Sequence, residues 1–383
     1  MLRNLAVERK IYAMKPDGLI IVALSGGVDS AVSAMLLRDA GHDVQCLHMS
    51  NWEDDGYCEA ARDFQDARRI CRHLDLPLHR VNFSAQYRER VFDDFLEELR
   101  RGRTPNPDVL CNREIKFGTL WKYARRLGGE WLATGHYARL KRRGNGGVEL
   151  HKGEDPGKEQ TYFLHALEEC DFERALFPLG ETLKSDVRKL AWEAGLPVAA
   201  KKDSTGICFV GERPFSRFIG EYLPTNPGVI KDSEGRTLGT HQGLAFYTLG
   251  QRRGLGIGGQ PDCPEGAWYV ARKELDANEL IVVQGTEHPA LYQNRLTSGP
   301  MHWINRPPPE LSADLPFACG AKTRYRQPDQ ACTVTRWRRG GVRLQFEQPQ
   351  RAVTPGQYVV LYQGSRCLGG AAIETAEMRP DGH

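Results

Sequence analysis

Two cysteines, Cys111 and Cys208, have sequence surroundings suited to covalent chemistry. Cys111 follows a proline-containing loop in RTPNPDVLCNREIKFG, and Cys208, 97 positions further on, lies in the glycine-containing stretch KKDSTGICFVGERPF. Lysine or arginine lies close to each cysteine, which favours the reactive thiolate, and loops of this composition often carry function. The residues alone leave three roles open for Cys111: a small buried side chain, a metal ligand or half of a redox pair.

A second chemical feature is the segment SGGVDS, residues 25–30, between an apolar run and a helical pattern. Gly26 and Gly27 let a phosphate approach the main chain, and the helix N-terminus behind them offers unpaired N–H groups. Asp29 is expected to hold Mg²⁺ or to fix the loop. The lysine of a γ-phosphate-transfer loop is missing. The segment instead resembles the PP-loop of ATP pyrophosphatases, which split ATP into AMP and pyrophosphate.

The elements around this loop alternate between strands and helices. The apolar run at 20–24 predicts a parallel strand that is buried on both faces. A helix is predicted at 31–40, ended by Gly41, and a second strand at 44–49. The alternation continues with a helix that starts at 58 and ends before Pro77, a strand at 78–83, a helix at 85–102 and a strand at 130–136. This order predicts an α/β fold with a doubly wound parallel sheet.

The pattern changes in the second half of the chain. Turn residues become frequent after about residue 210, and short alternating strands follow from 267 to 375, which predicts small barrel-like β domains. Taken with the family resemblance that the longer motifs carry, this change predicts an N-terminal extension (1–15), a PP-loop catalytic domain (16–210), a small central β-rich domain (211–283) and a C-terminal β-barrel (284–383).

Composition excludes several classes of protein. The chain has 383 residues, 40% hydrophobic and 26% charged, with a net charge of +3, which is ordinary for a globular protein. No apolar run approaches the roughly 20 residues that span a bilayer, and no signal peptide is evident, so a cytoplasmic protein without membrane contact is expected. Ten cysteines without a C-x-x-C pair argue against a zinc ribbon, and no resident metal is predicted.

Longer motifs carry a resemblance to one family. SGGVDS, NWEDDG, GRTPNPDVLCNREIKFG, ATGHYAR, STGICFVGE, GTHQGLAFYTLGQRRGLGIGG, TRYRQ and TPGQYVVLYQGSRCLGG together cover about residues 19–375. The chain resembles the tRNA-specific 2-thiouridylases, which thiolate the wobble uridine of tRNA. The resemblance implies ATP with Mg²⁺, a persulfide sulfur donor supplied by a sulfur-carrier protein or a cysteine desulfurase, tRNA as substrate, and a monomer.

The resemblance also implies roles for individual residues. Cys208 matches the cysteine that receives sulfur as a persulfide, and Cys111 the partner that assists its release and is left disulfide-linked to Cys208. Asp108 is a candidate general acid/base. The positions that match ATP-binding residues are Ala23, Leu24, Ser25, Gly26, Gly27, Val28, Asp29, Ser30, Met49 and Gly135.

A third set of positions matches residues that contact tRNA. The segment facing the target base matches Asn106, Pro107 and Asp108. Further tRNA contacts match His136, Lys158, Glu159, Gln160, Arg324, Tyr325 and Gln357. One departure from the family pattern is visible at Glu159, where aspartate is usual.

Three alternatives remain beside thiolation. An amide-forming PP-loop enzyme would explain residues 25–30, but it needs neither paired loop cysteines nor a basic barrel, which the run RQPDQACTVTRWRRGGVR at 326–343 indicates here. A sulfur transferase with an iron–sulfur cluster would need further ligands, and Cys111, Cys208 and Asp108 are the candidates. A non-catalytic RNA-binding protein with a decayed nucleotide domain would have no need for an intact phosphate loop and both cysteines.

Overall fold

The computed structural model describes residues 16–52, 59–144, 146–203, 210, 213–258 and 266–378, with the backbone alone for residues 59 and 60. It confirms the predicted class, because a parallel sheet, a small β-rich unit and a β-barrel follow one another along the chain. The predicted domain boundaries stay predictions. None of the helices in these ranges is both long and apolar enough to cross a membrane.

The strands of the described ranges are numbered in chain order. They are β1 Ile20–Ala23, β2 Val44–Ser50, β3 Leu78–Asn82, β4 Trp131–Ala133, β5 Ala138–Arg142, β6 Val148–Lys152, β7 Ala175–Leu176, β8 Gly228–Asp232, β9 Thr237–His241, β10 Trp268–Glu274, β11 Glu279–Gln284, β12 Tyr292–Ser298, β13 His302–Trp303, β14 Phe317–Lys322, β15 Gln330–Arg336, β16 Val342–Arg351, β17 Tyr358–Gln363 and β18 Arg366–Glu377.

The helices of the described ranges are numbered in the same way. They are α1 Val28–Asp39, α2 Glu59–Leu74, α3 Ser84–Tyr87, α4 Asp93–Arg100, α5 Pro107–Leu110, α6 Trp121–Arg126, α7 Thr161–Leu164, α8 Glu169–Glu173, α9 Lys184–Glu193, α10 Phe215–Ile219 and α11 Pro309–Ser312. Two π-helical segments, Arg88–Phe92 and Cys111–Leu120, join α3 to α4 and α5 to α6, and short 3₁₀ turns lie at Leu244–Phe246, Pro289–Leu291 and Arg338–Gly340.

The first sheet is parallel, with the order β3-β2-β1-β4-β7. Ile20, Ile21 and Val22 of the central strand are fully buried, as expected where helices cover both faces. Strand order reverses between β1 and β4, and in such sheets ligands bind at the carboxyl ends of the strands beside the reversal. This edge receives the loops after β1, β2 and β4.

The helix that begins at Pro107 has an unusual interior. Asn106 caps it by accepting a hydrogen bond from the backbone N–H of Asp108 at 3.2 Å, and Pro107 occupies the first turn, where its missing N–H does no harm. After one α-helical turn the chain becomes π-helical, beginning at Cys111. Such segments are rare and often lie at functional sites.

The remaining strands form two further sheets. A four-stranded sheet has the order β10-β11-β8-β9, and β12, β16, β15, β14, β17 and β18 form a barrel that the pairing of β12 with β18 closes. The hairpin β5–β6 adds to this barrel sheet through the pairing of His151 on β6 with Arg366 on β18. A hairpin that follows β4 of the parallel sheet thus extends the barrel sheet, and this pairing joins the two parts of the chain.

Some strands carry no clear sequence signal. In β5, the run ARLKR looks like a basic surface segment, yet it forms the edge of the barrel sheet, where charged side chains protect an open edge. β12 and β14 were also not predicted. Polar residues interrupt the apolar pattern of β12, and the small residues Ala318 and Gly320 weaken the apolar pattern of β14.

Candidate active site

The phosphate loop is held by its own hydroxyl groups. Ser30 Oγ accepts a hydrogen bond from the backbone N–H of Ser25 at 3.2 Å and donates one to the carbonyl oxygen of Gly27 at 3.2 Å. Gly26 has a φ of 83°, and a Cβ there would lie 2.4 Å from the carbonyl oxygen of Asp63. Glycine is therefore required at position 26 on two counts.

Residues of β2 and of the loop after β4 lie beside the phosphate loop. A Cβ at Gly135 would lie 2.9 Å from the backbone nitrogen of Ser30, so only glycine allows this approach. The buried His48 binds the carbonyl oxygen of Leu24 through Nδ1 at 2.9 Å, and Met49 is half-buried beside it on β2. The positions matched to ATP binding thus come together at one edge of the sheet.

Asp29 is engaged within the protein. Its carboxylate accepts hydrogen bonds from Tyr137 Oη at 2.7 Å and from Lys184 Nζ at 2.6 and 2.8 Å. Burial and the neighbouring carboxylate raise the pKa of Tyr137 far above its usual range, so its hydroxyl stays a donor. In this structure Asp29 fixes the loop, and its role toward Mg²⁺ stays a prediction.

Lys184 connects Asp29 to a second carboxylate. Asp203 accepts from Lys184 at 2.8 Å, from Lys158 at 2.5 Å and from Arg188 at 2.5 Å. Burial alone would raise the pKa of Asp203, but the hydrogen bonds from Lys158 and Lys184 outweigh it and lower this pKa to about 2. The result is a connected network of charges beside the phosphate loop.

Lys201 flanks the loop on its other side. Its ammonium group lies 3.1 Å from the carbonyl oxygen of Gly26, 2.8 Å from Asp63 and 2.7 Å from Asp66. Burial opposes the charge, but the two carboxylates raise the pKa of Lys201, so it remains an ammonium. Lys184 and Lys201 therefore place two positive charges near the loop that is predicted to bind phosphate.

Cys111 lies at this same edge. Its Sγ is 4.0 Å from Nδ2 of Asn51, which directly follows β2, and the cysteine is 5% exposed. Cys208 lies in segment 204–209, outside the described residues. The pairing of the two thiols therefore stays a prediction.

Asp108 precedes Cys111 by one helical turn and is half-buried. Burial raises the pKa of its carboxyl group, and the charge of Lys116 partly opposes this. A raised pKa suits a group that exchanges a proton near neutral pH. Burial, together with the charge of Lys116, lowers the pKa of His136 well below the usual value, so its imidazole is neutral.

Most positions matched to tRNA contacts surround this centre. Gln160 Oε1 accepts from the backbone N–H of Tyr137 at 3.0 Å, and Tyr325 donates from its hydroxyl to the carbonyl oxygen of Lys158 at 3.3 Å. The ring of Tyr325 lies 4.4 Å from that of Phe163. Asn112, next to Cys111, donates to the carbonyl oxygen of Phe163 at 3.1 Å, so these positions adjoin the cysteine.

Glu159 is placed differently from the rest of that set. It is 4% exposed, and its carboxylate accepts from Lys322 of the barrel at 2.8 Å and from Thr161, both from its backbone N–H and from its hydroxyl. In this structure Glu159 ties the parallel-sheet domain to the barrel. Direct contact with tRNA stays a prediction for this residue.

The last two positions, on barrel loops, brace backbone segments. Arg324 donates to the carbonyl oxygen of Ala352 at 2.6 Å. Gln357 donates to the carbonyl oxygen of Thr104 at 2.7 Å, and the backbone N–H of Thr104 bonds Pro355 at 2.9 Å. Gln357 therefore holds the loop that leads to Asn106 and Asp108.

Sequence reasoning missed several residues of this site. Lys201 and Asp203 were visible as charges before Cys208, in KKDST, but their contact with the phosphate-loop region was not. Lys184 gave no signal, because it opens a helix that reads as an ordinary surface helix. No group of three or more His, Cys, Asp or Glu side chains in the described ranges is arranged to hold a metal ion.

Three family models match consecutive segments. Residues 19–212 match one described as a tRNA methyl transferase HUP domain, residues 216–284 a tRNA methyl transferase PRC-barrel domain, and residues 293–373 an aminomethyltransferase beta-barrel domain. Fold and site thus define a HUP-type domain, with a phosphate loop at its sheet edge, followed by two β modules.

Relatives extend over nearly the whole chain. The tRNA-specific 2-thiouridylase MnmA of Hahella chejuensis is 54% identical over 93% of this chain and 97% of its own length. The namesake proteins of Alcanivorax borkumensis and Legionella pneumophila strain Lens are 52% and 50% identical, over 94% and 93% of this chain and 98% of each relative. The chain belongs to the tRNA-specific 2-thiouridylase family, whose members are tRNA sulfurtransferases.

A solved complex of a 4-thiouridine synthetase with RNA and ATP is more distant. It shares 20% identity with a TM-score of 0.33, over 51% of this chain and 46% of that one. A likeness of this size carries no argument about the present chain.

Proposed function

We propose that this chain catalyses ATP-dependent 2-thiolation of the wobble uridine in tRNA. The observation that supports this most is the position of Cys111. Cys111 lies beside Asn51, at the sheet edge that also carries the phosphate loop. The relatives that this chain matches over nearly their full length are named tRNA-specific 2-thiouridylases.

The first step activates the target base with ATP. The uracil 2-oxygen attacks the α-phosphorus, the bond to pyrophosphate breaks, and the oxygen becomes part of a good leaving group, AMP. The loop amides and Ser30 face the phosphates, and Lys184 and Lys201 offset the charge of the departing pyrophosphate. Mg²⁺ would arrive with ATP and be held by phosphate oxygens and the Asp29 carboxylate, a small donor set that suits this ion.

The attack of the uracil oxygen requires the proton on N3 to leave. Asp108 lies one turn before Cys111, and its raised pKa makes its carboxylate a stronger base than an exposed aspartate. In this proposal Asp108 accepts the N3 proton. Asn106 caps the same helix by accepting a hydrogen bond from the backbone N–H of Asp108, which fixes the backbone that carries this carboxylate.

Sulfur transfer follows at C2. The terminal sulfur of a persulfide on Cys208 attacks C2, and AMP leaves with the electrons of the C–O bond. The Cys111 thiolate then attacks Sγ of Cys208, the persulfide S–S bond breaks, and its electron pair stays on the sulfur bound to C2. Asp108 returns the proton to N3, which gives 2-thiouridine. The resulting Cys111–Cys208 disulfide is reduced by a dithiol before the next cycle, and a sulfur-carrier protein or a cysteine desulfurase reloads Cys208.

The tRNA is gripped from both sides of this centre. Lys158 and Arg324 supply positive charge for phosphate groups, and Tyr325 supplies an aromatic ring for stacking. Gln160, Gln357 and His136 complete the contacts. A wobble base lies in an unpaired loop, so turning it into the site costs little.

The test is incubation with ATP, Mg²⁺, a persulfide donor, a dithiol and unmodified tRNA, followed by mass spectrometry of the nucleosides. We expect 2-thiouridine with wild type, none with Cys208→Ser, and loss of multiple turnover with Cys111→Ser. The C111S variant should still carry a persulfide on Cys208.

Cys170 provides the matched control, because it is exposed and distant in the chain. Cys170→Ser should retain full activity. Undiminished activity of C208S, or no product from wild type under these conditions, would refute the proposal. A chromophoric iron–sulfur cluster that is lost in C111S would favour the cluster mechanism instead.

A further inference from the structure

A cavity of about 550 Å³ lies where the three parts of the chain meet. One wall is the segment 101–104 after α4, a second is formed by β10 and β11, and the third consists of barrel segments around 353–355 and 374–378. None of the described residues assigned above to ATP, sulfur or tRNA lines it. Its volume suits a small organic ligand.

Among the basic side chains that line this cavity, Lys273 is the one without a carboxylate partner, and the carboxylates of Glu374 and Glu377 also line the cavity. The Lys273 ammonium donates to the carbonyl oxygen of Gly102 at 2.9 Å, and no carboxylate of the described residues forms an ion pair with it. Burial lowers its pKa to about 8. The three lining arginines are each paired: Arg101 with Glu97 and Glu98, Arg103 with Glu98, and Arg272 with Glu274.

The cavity also presents exposed apolar side chains. Among the described residues, four large apolar side chains are strongly exposed, and two of them, Leu275 (53%) and Met378 (46%), line this cavity. Exposed apolar surface that gathers at a concave site usually marks a place of binding. A ligand that covered Leu275 and Met378 would remove this surface from water.

We propose that this cavity binds a small organic anion. A carboxylate, sulfonate or phosphate group pairs with the Lys273 ammonium, and an apolar or aromatic body lies against Leu275 and Met378. The anion supplies the counter-charge that the folded chain leaves open. The apolar body accounts for the exposed side chains.

Such a ligand would contact all three parts of the chain. Thr104 in the cavity wall already bonds the barrel through Pro355 at 2.9 Å, and its hydroxyl lies 3.3 Å from that of Thr248. From Thr104 the chain continues directly to Asp108 and Cys111. Occupancy would therefore stabilise the segment that carries the catalytic helix, and binding itself does not depend on thiolation.

The test uses 8-anilino-1-naphthalenesulfonate, which joins a sulfonate to an aromatic body, titrated by fluorescence with ATP and Mg²⁺ present to fill the phosphate loop. We expect Lys273→Met to weaken binding about tenfold, the scale of one charge-assisted contact, and Lys273→Arg to retain it. Uncharged 1-anilinonaphthalene should bind wild type and K273M alike.

A second arm varies pH. Lys273 loses its proton as pH rises from 7 to 9, so the affinity of wild type for the sulfonate should fall over this range, whereas that of K273R should not. The other charged or titratable groups that face the cavity are Arg101, Arg103, Arg272, Tyr292, Glu374 and Glu377. Burial and the neighbouring Glu287 raise the pKa of Tyr292, and the comparison with K273R isolates the contribution of Lys273.

Leu275→Ser tests the apolar half, with Leu315→Ser as its control, because Leu315 is 56% exposed and does not line the cavity. We expect L275S to bind the sulfonate several-fold more weakly than wild type. The control variant L315S should bind it as tightly as wild type. Equal affinity of wild type and K273M for the sulfonate would overturn the proposal. Stoichiometric displacement by tRNA would also overturn it, since the cavity would then belong to the RNA.

Discussion

Lys184 Nζ lies 2.6 Å and 2.8 Å from the two carboxylate oxygens of Asp29 and 2.8 Å from Oδ1 of Asp203. One ammonium group thus joins the phosphate loop to the residue that directly precedes segment 204–209, which carries Cys208. The lysine side chain is 12% exposed, so water screens these contacts weakly.

Replacement of this lysine should impair the use of ATP. In Lys184→Met the side chain keeps much of its volume, but Asp29 loses its counter-charge and repels phosphate. We expect KM for ATP to rise at least about tenfold, since a contact to a charged group contributes roughly 1.5–3 kcal/mol. Pyrophosphate release at varied ATP measures this.

Lys189→Met is the control, because Lys189 lies on the same helix with a side chain 66% exposed. It should leave KM unchanged, and Lys184→Arg should restore part of the affinity. An unchanged KM in K184M would show that the lysine only supports the fold.

Gly135 offers a steric test of the site. A Cβ at this position would lie 2.9 Å from the backbone nitrogen of Ser30 and 3.0 Å from the carbonyl carbon of Asp29, and backbone atoms cannot move aside. Gly135→Ala should therefore displace the start of α1 and raise KM for ATP. Gly144→Ala, where a Cβ would meet nothing within 4 Å, should behave as wild type.

The sequence predicted the parallel-sheet domain well because its signals are local. A buried apolar strand, a glycine pair and a helix ended by Gly41, with a φ of 83°, follow one another within about 25 residues. For the C-terminal part, the sequence predicted a β-barrel but not all of its strands or how they pair. Its closure depends on β12 pairing with β18, strands more than 70 residues apart, and such pairing leaves no periodic signal.

In the candidate site, too, contacts that are local in sequence were predictable and contacts between distant residues were not. Residues 25–30 were predictable because a loop motif holds its own contacts. Lys184 was not, because its contact with Asp29 spans 155 positions and ends on an ordinary-looking helix. The contact of Glu159 with Lys322 was not predictable either, because the two residues are distant in the chain. The tRNA contact that the resemblance implies for Glu159 stays a prediction.

The proton step predicts a pH dependence. Burial raises the pKa of Asp108 and Lys116 opposes this, so Lys116→Met should raise that pKa further. If Asp108 works as the carboxylate, activity falls as pH drops through its pKa. The acid limb of kcat/KM should then move to higher pH in K116M.

Besides burial, the charge of Lys116 also lowers the pKa of His136, so a further experiment must show which of the two groups gives rise to the acid limb. We expect Asp108→Asn to lose most of the activity together with this limb, and His136→Gln to weaken tRNA binding while the limb persists. A limb that disappears in H136Q instead would assign it to the imidazole.

The ion pair between Glu159 and Lys322 should hold the parallel-sheet domain on the barrel. The two side chains are 3% and 9% exposed, so Lys322→Met leaves a carboxylate buried with hydrogen bonds from Thr161 alone. Removal of one partner of a buried pair typically costs about 3–5 kcal/mol, and we expect the free energy of unfolding in urea to fall by that amount. The double variant K322M/E159Q should recover part of it, because the uncompensated charge is gone.

Arg336→Ala provides the comparison, since Arg336 and Asp314 form a pair with side chains 59% and 74% exposed, and exposed pairs contribute at most about 1 kcal/mol. If K322M lowered the stability no more than R336A does, water would already reach Glu159. The interface would then be held by packing and by the pairing of β6 with β18, and Glu159 would be available to the tRNA after all.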